Sequence, residues 1–124
     1  MGLNFRIGNR SSEAEWSYSG FNEFRRKIAS LIKIDLDEMI GFGGNKDWNT
    51  RNIIINDDII LFLIHSDCDG DLSTDQCKKI YPRLLELINM LPDTFMDNYD
   101  KKMGKILAED MKYCAENNKK LIFS

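Results

Sequence analysis

The chain opens on a strict alternation, with apolar Leu3, Phe5 and Ile7 separated by polar Asn4 and Arg6. A period of two puts the apolar set on one face of a strand, and Gly8 with Asn9 ends it. Residues 9–20 then turn polar and rich in serine, with Trp16 and Tyr18 interleaved. That stretch reads as a loop anchored by its aromatics. From residue 21 the period becomes helical. Phe21, Phe24, Ile28, Leu31 and Ile32 share one face, Ser19 or Gly20 stands at the N-cap, and Arg25, Arg26 and Lys27 are assigned to the solvated remainder. The expected helix covers residues 21–33.

The middle of the chain is less regular. Residues 36–40 suit a short helical turn, broken by Gly41, Gly43 and Gly44, and residues 45–52 continue as a loop carrying Trp48. Residues 59–64 are all apolar. They fit a short helix entered from Asn56 or Asp57, or equally a buried strand, and the acidic loop behind them favours the helix. Ser73 and Gln76 have the spacing of a capping box. Behind them Cys77, Ile80, Tyr81, Leu84, Leu87, Ile88 and Leu91 follow helical spacing over 76–91, and Pro82 predicts a kink or break two turns in. A last helix over 97–116 carries the line Tyr99, Met103, Ile106, Leu107, Met111 and Cys114, with Asn117 and Asn118 as a C-cap tolerant of positive φ. Leu121–Phe123 forms a closing strand beside residues 3–7. The expected fold is one domain over 1–124, mainly α with a small terminal β-sheet, hence α+β.

Composition narrows the function classes. At 124 residues the chain suits a single core, and 43% hydrophobic with 30% charged residues separates it from disordered chains. The net charge is −3, and the basic runs at 25–27 and 119–120 are short. Displacing counterions from phosphate needs clustered cations, so nucleic acid is not an expected partner. An apolar run of six cannot span a bilayer, and no export signal is visible, so the expectation is a cytoplasmic protein with no membrane partner. Arg6 stands where N-myristoylation needs Ser or Thr. Three cysteines, Cys68, Cys77 and Cys114, are an odd number without an export signal and read as reduced thiols.

Residues 65–76, His-Ser-Asp-Cys-Asp-Gly-Asp-Leu-Ser-Thr-Asp-Gln, carry the one sharp chemical pattern. With Gly70 as the sixth, turn-forming position of an EF-hand loop, Asp67 and Asp69 fall at the third and fifth positions, where side-chain oxygens bind Ca²⁺. Asp71 offers its carbonyl at the seventh, and Ser73 stands at the ninth. The apolar flanks, Leu61 and Ile64 before and Cys77, Ile80 and Leu84 behind, agree with a helix–loop–helix resembling a single degenerate EF-hand. His65 replaces the first-position carboxylate and Gln76 the bidentate twelfth, both of which weaken a site for a hard cation. Three readings stay open. One is a metal-free turn whose Asp side chains bond backbone amides. The second is a Ca²⁺ or Mg²⁺ site made by His65, Asp67, Asp69, Asp71, Ser73 and Gln76. The third is a Zn²⁺ site made by His65, Asp67, Cys68 and Cys77, against which the core-facing position of Cys77 counts. Within the turn, His65 is expected to bond Asp67, Asp69 or a backbone group.

Met1-Gly2-Leu3, Tyr18-Ser19-Gly20-Phe21 with Phe24-Arg25, Met39-Ile40-Gly41-Phe42 and His65-Ser66-Asp67-Cys68-Asp69-Gly70, in that order, resemble a family of small uncharacterised bacterial proteins. The resemblance implies that His65 belongs with the loop; it carries over no catalytic role. The functional expectation is a binding or adaptor domain, of immunity or regulatory type, with another protein as partner. Residues 16–21 offer a contact surface, though packing of those aromatics onto the core is the favoured reading. The alternatives are a divalent-metal-responsive protein and a metal-dependent enzyme. The last lacks an acid–base pair in the sequence, so the chain is read as more a binder than an enzyme.

Overall fold

The computed structural model describes residues 2–8, 10–39, 42–45, 58–65, 70–95 and 97–123. The elements run β1 (Leu3–Ile7), β2 (Arg10–Trp16), α1 (Tyr18–Leu31), a 3₁₀ turn (Leu36–Glu38), α2 (Ile60–Leu63), β3 (Asp71–Leu72), α3 (Thr74–Asn89), α4 (Asn98–Asn117) and β4 (Leu121–Phe123). The fold is α+β. The antiparallel sheet has the order β2-β1-β4-β3, so the terminal pairing of β1 with β4 expected from alternation is its centre. It is flanked by β2 and the two-residue β3.

β2 lies where a loop was expected. Ile7 pairs with Arg10 across a tight hairpin that turns at Gly8, whose φ of +60° such turns require. Between the pairs Asn4–Glu15 and Arg6–Ser11 the register slips, and residues 12–14 bulge opposite Phe5. The period of two is confined to the second half of β2, where Ala14 and Trp16 are buried and Glu13 and Glu15 exposed; the first half, Arg10–Ser12, holds no apolar residue. The bulge is held from outside the strand. The Ser12 hydroxyl donates to Asp110 of α4 and accepts from Ala14 N at 2.9 Å. Burial pushes the Asp110 carboxyl above its ordinary value, while the Ser12 hydroxyl and Arg10 pull it back.

α1 begins a few residues earlier than the periodicity suggested. Its N-cap is Ser17, whose Oγ accepts from Gly20 N at 3.0 Å, rather than Ser19 or Gly20. The 3₁₀ turn is shorter than the 36–40 segment expected. Asn56 and Asp57 lie outside the described residues, and α2 is capped at Ile59 without a side-chain bond. The capping box forms as expected, with Ser73 Oγ on Gln76 N at 3.2 Å and Gln76 Oε1 on Ser73 N at 2.8 Å. α3 runs unbroken through Pro82, so of the kink or break expected there the break does not occur. Pro82 lacks one donor of the helix, and Lys78, whose carbonyl that donor would meet, is exposed to solvent. Asn118 takes the left-handed conformation at φ 53° and ends α4.

The core joins one face of the sheet to α1, α3 and α4. Phe5, Phe21, Phe24 and Phe62 are fully buried, and Trp16 stacks on Phe24 at 4.9 Å. Each such ring contributes about 1.5–3 kcal/mol relative to exposure. Of the aromatic run 16–21, Trp16 and Phe21 pack inward and only Tyr18 is largely exposed. The Trp16 indole N–H donates to buried Asp100 at 3.0 Å, and Lys27 bridges Asp97 and Asp100 at 2.8 Å each. β2, α1 and α4 meet at that point. Tyr99, placed on the apolar line of α4, is instead half exposed and donates its hydroxyl to the Glu15 carbonyl. Among the described residues, no helix is long and apolar enough to cross a membrane.

Candidate functional site

The 65–76 segment is built between α2 and α3 and tied to the last strand. Asp67, Cys68 and Asp69, with Ser66, lie outside the described residues. Gly70 has φ +86°, a conformation that a side chain at this position would strain. Its carbonyl accepts from Phe123 N at 2.9 Å, and Asp71 and Leu72 continue the pairing against Ile122 and Leu121. The edge of β4 thereby fixes the second half of the loop.

His65 closes the first half onto the second. Its Nε2 lies 2.9 Å from the Asp71 carbonyl oxygen, and its ring packs on Phe123 with centroids 4.0 Å apart and planes 30° apart. A carbonyl only accepts, so Nε2 carries the proton and donates. The partner is a backbone group, one of the choices the sequence left open. The carbonyl concerned is the one the Ca²⁺ reading assigns to the seventh ligand position. Ser73 Oγ and Gln76 Oε1, two further members of that set, are both engaged in the capping box. An ion would therefore compete with existing hydrogen bonds at Asp71, Ser73 and Gln76.

Of the Zn²⁺ set, Cys77 is fully buried on the first turn of α3, with its sulfur 3.8 Å from the Leu72 carbonyl. Contact with the Cys114 thiol, reinforced by burial, pushes the Cys77 thiol far above its ordinary value, which opposes the thiolate a metal needs. Among the described residues no three His, Cys, Asp or Glu side chains converge on one point.

Arg25 is the residue that sequence reasoning misplaced. It is 2% exposed rather than on a solvated face. Its guanidinium donates to the Leu63 carbonyl at 3.1 Å, to the His65 carbonyl, and to Asn22 Oδ1 at 2.8 Å. It faces the rings of Phe21 at 4.8 Å and Phe42 at 5.0 Å. A cation thus meets the C-terminal carbonyls of α2 where the loop begins, which complements the partial negative charge there. The signal was present: Phe21, Phe24, Arg25 and Ile28 have the spacing i, i+3, i+4, i+7, so Arg25 lies in the apolar stripe.

A second feature stands apart from the loop. The turn between α3 and α4 is braced by Lys101, which donates to the Leu91 carbonyl at 3.1 Å and to Asp93, and by Thr94 on Asp97 at 2.6 Å. Asp97 is in turn paired with Lys27. On this braced turn Phe95 is 93% exposed, and nearby Met90 and Tyr99 are about half exposed. No family model matches this chain, and no curated protein and no solved structure is significantly similar to it.

Proposed function

We propose that the protein is a partner-binding domain of adaptor or immunity type, and that its EF-hand-like 65–76 segment is a structural loop closed by His65 in place of a metal ion. The observation that carries the loop reading is the His65 Nε2 bond to the Asp71 carbonyl. One N–H joins the first and seventh positions, which an EF-hand loop joins through its cation. The binding reading is supported by Phe95. A bulky ring held in solvent on a braced backbone loses little further freedom on association, which favours an anchor role at an interface.

Two experiments test these statements separately. Amide spectra of chelator-treated protein should not change on adding Ca²⁺ or Zn²⁺, and the unfolding midpoint should be the same in chelator as in either ion. Sub-micromolar binding by calorimetry would refute the metal-independent loop. For the interface, a photo-crosslinking residue at position 95, in cells that express the protein, should give one discrete adduct that a control at Lys33 does not. Equal adducts from both positions would remove the anchor role.

A weak Ca²⁺ site is the second reading. Gly70 at positive φ, the short strand at Asp71–Leu72 and a helix from Thr74 follow in the order an EF-hand loop uses, which favours it. With His65 and Gln76 in place of carboxylates, its affinity is expected at about 10⁻⁴–10⁻³ M.

A further inference from the structure

A cavity of about 300 Å³ opens where β1, β2 and α4 meet, between Gly2, Asn4, Glu15, Trp16 and Tyr99. Its volume is at the lower end of those that take up organic groups. The Tyr99 ring forms one wall, fixed by its hydroxyl on the Glu15 carbonyl at 2.5 Å, and is half exposed. Phe95 stands four residues before Tyr99, so their Cα atoms are at most about 14 Å apart. The Asp97 N–H on the Thr94 carbonyl at 3.1 Å bends the chain between them. The Phe95 ring nevertheless stays in solvent, outside the cavity. The charges nearby divide into satisfied and unsatisfied ones. Lys101 is paired with Asp93, and Lys27 with Asp97 and Asp100. Lys102, exposed one turn beyond Tyr99 on the same side of α4, and Glu15, exposed at the cavity rim, have no ion pair among the described residues.

We infer that the partner of this face is a second copy of the chain: each Phe95 seats against Tyr99 in the other copy's cavity, and each Lys102 meets the other copy's Glu15. The inference rests on the reading of Phe95 as an interface anchor and names what the anchor enters. A projecting ring and a cavity this close together let one two-fold axis beside Tyr99 fill both cavities at once, and such a contact closes at two copies. Without that axis the same contact would repeat head to tail into a filament. The two aromatic rings gain from edge-to-face contact. The turn that carries Phe95 is already braced by Lys101 and Thr94, so seating the ring orders little more of the chain. The rim pairs of Lys102 with Glu15 stay open to water, where they set the register and disfavour wrong partners more than they add affinity. A face with one ring and one cavity per copy lies at the small end of specific interfaces, so association is expected at micromolar concentration and above.

Sedimentation of the full chain over a concentration series tests it. The mass should rise from one chain to two and stop there, and Phe95→Asp should weaken the association by roughly 30-fold or more. The charge pairs give the sharper arm. Lys102→Glu alone sets acid against acid at both ends of the interface, and Glu15→Lys alone sets base against base, so each variant should run as one chain where the parent is a dimer. Mixed in equal amounts, the two variants restore acid opposite base at both ends and should form a dimer of one of each. Both changes are on exposed side chains, and circular dichroism of each variant checks that the fold is kept. A mass of one chain at every concentration up to millimolar would overturn the proposal, as would a mass that grows past two chains. A mixture that associates no better than either variant alone would do so too. The crosslinking residue at position 95 separates this inference from the reading it rests on. An adduct of two copies of the chain supports both. An adduct holding a different protein overturns the second copy as partner and leaves Phe95 an anchor, and equal adducts from positions 95 and 33 remove both.

Discussion

Replacing Arg25 by Met keeps most of the side chain's length and apolar contact while removing its donors. The Leu63 carbonyl then lies in a buried residue without the guanidinium at 3.1 Å, whereas the carbonyl of half-buried His65 can turn to water. A hydrogen bond from a charged group is worth about 1.5–3 kcal/mol, and a buried acceptor left unmet costs about 1–3 kcal/mol. Contact of the cation with the rings of Phe21 and Phe42 adds roughly 0.5–2 kcal/mol. Returning the guanidinium to water in the unfolded state no longer favours unfolding in the variant, which offsets part of these losses. The net expectation is a loss of about 2–4 kcal/mol. Arg25→Lys keeps the charge but loses the second guanidinium nitrogen that bonds Asn22 and the planar contact with the rings of Phe21 and Phe42, so it should recover less than half. Urea unfolding followed by the fluorescence of buried Trp16 measures both, and hydrogen exchange of amides 60–65 locates the effect. A Met variant within about 0.5 kcal/mol of the parent, the usual range for surface substitutions, would show that Arg25 does not hold the loop entrance. Full recovery by Lys would show that charge alone matters there.

His65→Phe keeps a ring on Phe123 and loses the bond to Asp71. It should cost about 0.5–1.5 kcal/mol in urea and speed exchange of the Phe123 amide, while a neutral result would deny the latch. Asp110 has a folded-state pKa above its unfolded one, so its contribution is greatest below about pH 4, where it is protonated in both states, and is lost as the pH rises through the folded value. The stability of the parent relative to Asp110→Asn should therefore fall from acid toward neutral pH; a difference that grows with pH would mean that Ser12 and Arg10 outweigh burial. Gly104→Ala puts a Cβ 2.7 Å from Ile88 Cδ1 and 3.0 Å from Phe24 Cζ, both fully buried. Overpacking of about 1–3 kcal/mol should exceed the roughly 1 kcal/mol gain in helix propensity, and a more stable Ala variant would refute the tight approach of α4 to its neighbours.

Sequence alone determined the elements whose side chains declare their period. Leu3, Phe5 and Ile7 alternate, α1, α3 and α4 show helical stripes, and Ser73 with Gln76 caps α3 through contacts three residues apart. Local rules suffice there because each signal is made and answered within one or two turns. The order of residues also marked Gly70 as a turn, and its φ is +86°. What the tertiary structure decided depends on partners far along the chain. β2 is a strand because β1 pairs with it and Asp110, 98 residues from Ser12, supports its bulge. Arg25 is buried because the carbonyls of Leu63 and His65, 38 and 40 residues away, accept from it. A polar residue in an apolar stripe has two outcomes, a break in the stripe or a buried donor, and only the position of its acceptor selects between them. For His65 the sequence expected a bond to Asp67, Asp69 or a backbone group, and only the fold selected among them by bringing the Asp71 carbonyl to its ring nitrogen and Phe123 beneath its face.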